Sequence, residues 1–514
     1  MEQPLKKLGE KNDVKQKILE KKIPHPLFFF QPSIFPLSAT ITQTMLDEFT
    51  TKVINHLEKC RVDKSPVDAN LIDGYCLSID RETAEQPNYF QTIIPLVNQL
   101  LLDENYYELD PHGILIDLLL TLLSHLKFKQ VLEFYPNEFI LDNLFESTVP
   151  VVNILCLKII ILNIHEQETL KFLHDNNVIY RLVEKFFTEE TSIPVLGQIE
   201  LLITKLTSPE EIELLEPIVP ILQETRNLEN TVILARYLDL LNIIHPKLQK
   251  LSPALYTFTR DDFFKFQSDP LFLVLLIQFY GRLVREEAKL ELEFVLSEIL
   301  SSYDKFDSLV KPEVVQLVST ISYGRSYKDL LQNYEVYKTH NLIQVFEKNE
   351  TEIKLLSISN PATIYDLNLS IYTDVLAHLN LFTENAYFPI LLNFLEPTTT
   401  FFQLKHQLDN DRLSRLPMDK LFKLLLVMAK YEHTKEHLFN SLPNIISANL
   451  LESDIKNHEL WNLKLEILEQ LLENQTVPGF DYWRDQLQSN YEFMRFGKSF
   501  KNIKPKVDII DETA

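Results

Sequence analysis

The residues best suited to chemistry in this chain are His433, Glu436 and His437, within the stretch YEHTKEHLFN. They fit H-x-x-E-H. In that pattern two imidazoles four residues apart on a helix can bind one zinc ion while the adjacent carboxylate activates its water. Such a site needs a scaffold as well as a motif. An inverted-type peptidase holds its motif helix against a sheet that binds the substrate strand, and takes a third ligand carboxylate from a separate helix downstream. No sheet pattern is present, and the downstream acids Glu466, Glu469 and Glu473 have the spacing of a solvated helix face. A zinc peptidase through His433, Glu436 and His437 is therefore the weaker alternative. The expected metal, catalytic and cofactor sites are none.

Other chemistry fares no better. His165, His174 and His245 neighbour carboxylates or lie at expected helix ends, as capping and surface histidines do. No G-x-S-x-G elbow and no Walker or dinucleotide glycine pattern occurs. Cys60, Cys76 and Cys156 form no C-x-x-C pair, which suits a reducing compartment, and Cys156 within VNILCLKIIIL reads as a small core residue.

The elements around these residues follow from composition. Only 8 glycines occur in 514 residues, so folds that need many positive-φ turns are disfavoured and a nearly all-helical chain is expected. Acids outnumber cations 73 to 50, a formal charge of −23 that repels phosphate backbones and anionic membranes and attracts basic proteins. The N-terminus shows lysines without an apolar signal region, and the apolar run DPLFLVLLIQFYG is interrupted by Gln278, too short to span a bilayer. The expected setting is the cytoplasm, with the nucleus as a second compartment.

Four strongly apolar helices are expected to start near Pro111, Pro150, Pro194 and Asn230, at intervals of 39, 44 and 36 residues. Amphipathic helices such as ETLKFLHDNNVIYRLVEKFF and SPEEIELLEPIVPILQETR lie between them. One apolar helix with amphipathic partners every forty residues or so is the period of HEAT and armadillo arrays. The expected fold is thus all-α, a HEAT/armadillo-like α-solenoid wound as a right-handed superhelix. Its expected parts are a Lys-, Pro- and Phe-rich tail over 1–40 that includes Phe28, Phe29 and Phe30, one solenoid over 41–497 with an irregular section near 323–400, and a C-terminal tail over 498–514. His433 to His437 then fall where one repeat turns into the next, a place expected to be solvated.

Solenoids bind other proteins in a curved groove. On NTVILARYLDLLNIIH, Arg236, Asp239 and Asn242 recur every three residues, and on PVLGQIELLITKL, Glu200 and Thr204 stand four apart. They are candidate partner-binding residues, with solvated stripes of ordinary surface helices as the bland alternative.

RLPMDKLFKLLLVMAKYEHTKEHLFNSLPNII resembles the C-terminal repeats of the fungal Hsm family of HEAT-repeat proteasome assembly chaperones, through Arg415, Leu416, Pro417, Tyr431, Glu432, Thr434, Leu438 and Pro443. HLKFKQVLEFYPNEFILDNLFESTVPVVNILCLKII resembles its N-terminal third, through Val131, Leu132, Glu133, Tyr135 and Pro150. The likeness runs from about residue 90 to 490, and the N-terminal tail is longer than the family's pattern. The resemblance implies a chaperone for the base of the proteasome regulatory particle. Such a protein holds the C-terminal domain of an Rpt ATPase subunit in its concave face, meets other base subunits, and leaves on maturation. It implies no nucleotide, and a link to DNA mismatch repair that the −23 charge makes indirect. A general helical-repeat adaptor is the alternative. A free monomer with no direct nucleic-acid or membrane contact is expected.

Overall fold

The computed structural model describes residues 48–79, 87–248, 251–333, 350–367, 380–453, 455–473 and 476–497, and every regular element among them is helical. Both expected tails, 1–40 and 498–514, lie outside the described residues.

A ladder of apolar helices runs along the chain: α1 (Ile114–Leu123), α2 (Pro150–Leu162), α3 (Ile193–Lys205), α4 (Thr231–Ile244), α5 (Pro270–Arg285), α6 (Lys311–Tyr323), α7 (Glu350–Ile358) and α8 (Phe388–Phe394). Each packs against the next. Their starts recur roughly every forty residues, the period of stacked helical repeats, and the fold is an α-solenoid. Towards the end of the described chain come α9 (Met418–Met428), α10 (His458–Glu473) and α11 (Phe480–Phe496), with α10 packed on both and shorter helical segments between α9 and α10.

Local sequence explains the starts. Pro150 opens α2, where its missing N–H costs nothing. Asn230 caps α4 by accepting from the N–H groups of Val232 and Ile233, and Asp269 caps α5 through the N–H of Phe272. Burial explains the apolar excess. On α2, Val151, Val152, Leu155, Cys156, Leu157, Ile159 and Ile160 are all buried, because that helix lies between neighbours. Cys156 is the core residue its setting implied.

The flanking helices are shorter than their sequence suggests. ETLKFLHDNNVIYRLVEKFF forms two helices, Gln167–Asp175 and Val178–Phe186, because Asn177 adopts φ 49° and ends the run. SPEEIELLEPIVPILQETR breaks into Pro209–Glu213, a 3-10 turn at Glu216–Ile218, and Val219–Arg226, with Pro217 and Pro220 at the joints. The first apolar helix begins at Ile114 rather than Pro111, after Gly113 at φ 73°. Within the expected irregular section 323–400, the described residues include the helices α7, Pro361–Leu367 and α8, and the section ends in the first turn of Thr398–Leu404.

Long cationic side chains tie successive repeats together. Lys247 donates to the carbonyls of Thr204 and Leu206 at the end of α3, at 2.9 and 2.6 Å. Lys435 donates to Gln470 O at 2.6 Å. Arg226 donates to Thr257 O and to Asp262 Oδ2, both at 2.9 Å, with its guanidinium 3.5 Å from the Phe258 ring. A cation at a helix C-terminus satisfies orphan carbonyls and opposes the helix dipole.

Candidate functional site

The H-x-x-E-H stretch lies on the helix Glu432–Ser441, entered through Tyr431 in extended conformation. Thr434 pins the turn by donating its hydroxyl to Met428 O and Tyr431 O at 2.7 and 2.9 Å. The two histidines flank Phe401, at ring-centre distances of 5.0 Å for His433 and 5.7 Å for His437. Each gives its Nε2 to a backbone carbonyl of the preceding repeat: His433 to Leu395 O at 2.9 Å, His437 to Leu408 O at 3.0 Å. The imidazoles are thus committed to two separate carbonyls. Among the described residues no group of three His, Cys, Asp or Glu is placed to hold a metal ion.

Solvation was the wrong expectation here. Thr434, Lys435 and His437 are buried, because the stretch packs into the joint between repeats instead of looping over it. Burial pushes the His437 imidazole below the usual histidine range, against the Leu408 bond, with the Lys405 charge adding to the fall.

His245 is also buried, not superficial. It caps the end of α4 with Nε2 3.6 Å from Glu286 Oε2, and burial lowers its pKa while Glu286 opposes the shift. His174 is exposed beside Asp175. His165 is exposed and pairs with buried Glu211 at 2.8 Å. Burial alone would raise the Glu211 carboxyl, but the N–H groups of Ser208 and Thr207, together with His165, hold it at about 2. With Ser208 it forms a capping box that starts Pro209–Glu213.

The candidate docking residues divide. Arg236 donates to Phe186 O, Thr188 O and Glu189 O at 3.1, 2.8 and 3.4 Å, closing the helix Val178–Phe186. Thr204 is exposed and returns its hydroxyl to Glu200 O at 2.7 Å. Asn242 is half-buried, its Oδ1 enclosed without a hydrogen-bond partner. Glu200 and Asp239 are brought together. Burial raises the Glu200 carboxyl and the Asp239 charge raises it further. Asp239 keeps solvent contact while neighbouring helices crowd it, so its carboxyl is also raised, with Arg282 of α5 pulling the other way.

The structure adds residues that sequence reading missed. Lys158 on α2 pairs with Asp117 on α1 at 3.3 Å, so charged residues line α1 to α5: Asp117, Lys158, Glu200, Asp239, Arg282. Beside them Ile193, Val232, Leu271 and Leu275 are 82%, 60%, 69% and 45% exposed. Ile193 with Glu200 and Val232 with Asp239 are each two turns apart, hence on one helix face. The first turns of α3, α4 and α5 thus each present an exposed apolar residue, with a carboxylate two turns on in α3 and α4 and Arg282 further along α5. Exposed apolar residues recurring on successive packed helices beside charged groups are the composition of a protein-docking surface. The signal was available: Ile193, Val232 and Leu271 recur at one repeat's spacing, though each looks like one more core residue.

Two family models together match nearly the whole chain. The model described as "DNA mismatch repair protein HSM3, N terminal domain" matches residues 51–285. The corresponding C-terminal domain model matches residues 293–514. A Candida albicans protein named DNA mismatch repair protein HSM3 is 56% identical, covering 91% of this chain and 100% of the relative. Proteins of the same name from Scheffersomyces stipitis and Debaryomyces hansenii are 36% and 28% identical, covering 93% and 91% of this chain and 100% and 99% of their own.

Proposed function

The chain belongs to the HSM3 family, and from that premise we propose that it is an assembly chaperone for the base of the proteasome regulatory particle. Neither the family names nor the all-helical solenoid is of an enzymatic kind, and the protein acts by binding. Its partner is the C-terminal domain of an Rpt ATPase subunit, with other base subunits alongside. Its mechanism is steric. The chaperone holds the subunit, blocks premature docking on the proteolytic core, and is released on maturation. It works as a monomer in the cytoplasm and the nucleus, with no cofactor.

The observation that supports this reading is the exposed face of α3 to α5. There the exposed Ile193, Val232 and Leu271 would supply contact area, and Glu200 and Asp239 would meet cations of the partner. The relatives' name points to mismatch repair. With a formal charge of −23, this chain would affect repair indirectly, through proteasome function rather than by gripping duplex DNA.

Affinity capture of the tagged protein from its own cell extract, read by mass spectrometry, tests the proposal. Recovery of a restricted set of Rpt ATPases and base subunits without the proteolytic core is expected. Unrelated cargo, or complete proteasomes with the core attached, would overturn it and leave a general solenoid adaptor.

A further inference from the structure

At the C-terminal end of the described chain, a cleft of about 530 Å³ lies between α11 and the π-helical segment Ile445–Leu451. The wide π turn shows in the N–H of Glu452, which donates to Ser447 O at 2.9 Å, five residues back. The segment's end is anchored from both neighbours. Asn490 of α11 donates to Leu451 O at 2.9 Å, and buried Lys464 of α10 donates to Ser453 O at 3.2 Å. π-Helical turns are rare and are frequently found at functional sites.

The cleft has two characters. Leu451 and Phe493 give it an apolar side, Phe493 with 48% of its surface exposed. Glu452, Asp485 and Glu492 give it three carboxylates. Among the described residues no ion pair engages any of them, although Glu492 accepts from the neutral Gln488 amide at 2.8 Å. Three carboxylates around an apolar wall suit a segment that carries lysines and an aromatic ring.

Such a segment begins at the cleft itself. Gly497 ends α11, lines the cleft and is the last described residue, and its φ of 76° lets the chain leave the helix axis there. The sequence then reads KSFKNIKPK, placing Lys498, Lys501, Lys504 and Lys506 around Phe500 in a chain that is otherwise strongly acidic. Three or four extended residues reach about 10 to 14 Å, enough to cross a cleft of this size. Tethering also raises the local concentration of the segment to about the millimolar range.

We propose that Lys498–Lys506 occupies this cleft within its own chain, with Phe500 against Leu451 and Phe493 and the lysine ammonium groups on Glu452, Asp485 and Glu492. The cleft is then a self-occupied acidic docking site. A basic segment of another protein reaches it only by displacing the tail. This is independent of the ATPase reading, which concerns α3 to α5.

The full-length protein tests it in two ways. Carbodiimide coupling in dilute solution should join the tail lysines to Glu452, Asp485 or Glu492 within single chains. Links spread over other surface acids, or confined to covalent dimers, would overturn the proposal, the latter by assigning the tail to a second copy. Hydrogen exchange should show the amides of 498–506 protected. That protection should fall roughly tenfold in the Glu452→Gln/Asp485→Asn/Glu492→Gln variant and at high salt, where screening shortens the reach of charges. The substituted acids are at or near the surface, so the thermal midpoint should hold. Tail amides exchanging at the free-chain rate in the unaltered protein, or equally in the variant, would sink the idea.

Discussion

Two parts of the solenoid carry charged and titratable side chains to opposite ends. In the helix Glu432–Ser441, the residues that look most chemical are consumed by the fold: His433, His437, Thr434 and Lys435 each bond to a backbone carbonyl, three of them being buried. On α3 to α5, residues that look ordinary are left over. Half-buried Glu200 feels the charge of solvent-accessible Asp239, and Ile193, Val232 and Leu271 stand in solvent. A polar group with its partners satisfied stabilises the chain that holds it. An unsatisfied carboxylate pair beside exposed apolar surface raises the energy of the free protein and is relieved by a partner. Satisfaction, more than residue type, separates scaffold from site.

The largest effect should come from breaking the consumed side. His437→Ala leaves Leu408 O unpaired and opens space beside Phe401, costing about 2–3 kcal/mol. Chemical denaturation followed in the C-terminal repeats would show it, with the zinc content of the protein unchanged. A parallel loss of stoichiometric zinc would break the comparison. Because burial lowers the folded pKa of His437, the unfolded chain binds its proton first. Its contribution is complete above about pH 6.5 and is lost as pH falls below that, a slope that His437→Ala should flatten.

Next is Glu211→Gln, which weakens a capping box and the His165 pair and should cost about 1–2 kcal/mol. The folded carboxyl is held at about 2, below its ordinary 4.5, so its contribution is present above 4.5 and lost as pH falls towards 2. Denaturation midpoints across that range should therefore converge for the two proteins at the acid end.

The leftover side should respond in the opposite sense. Glu200→Gln/Asp239→Asn should leave stability at neutral pH unchanged or raised by up to about 0.5 kcal/mol, while partner capture falls about tenfold, near 1.4 kcal/mol. Both folded pKa values are raised, so the stability penalty is present above them and disappears as pH falls through them. A cationic partner favours the charged forms, so capture should weaken over the same fall. A variant that loses stability and keeps its partner would erase the distinction between the two regions. The smallest effect belongs to Thr204→Ala, within about 0.5 kcal/mol by thermal melting, because its exposed hydroxyl only returns to Glu200 O.

The solenoid was legible because stacking repeats demand helices apolar nearly all round, and Pro150, Asn230 and Asp269 mark where three of them begin. The break at Asn177 was not, since asparagine is tolerated inside a helix as well as in the left-handed conformation it adopts before Val178–Phe186. Arg236 looked like a groove residue from its own helix. The carbonyls of Phe186 and Thr188, about fifty residues earlier, make it a clamp. His433 and His437 looked solvated for the same reason: Leu395, Phe401 and Leu408 belong to the preceding repeat.

What the sequence determined alone was therefore everything that depends on one helix at a time: helix content, repeat period, caps, and the acidic balance. Tertiary structure decided which polar groups are consumed and which face outward. A side chain's periodicity fixes the face it occupies, but its hydrogen-bond partner comes from one repeat away, where only stacking brings it within 3 Å.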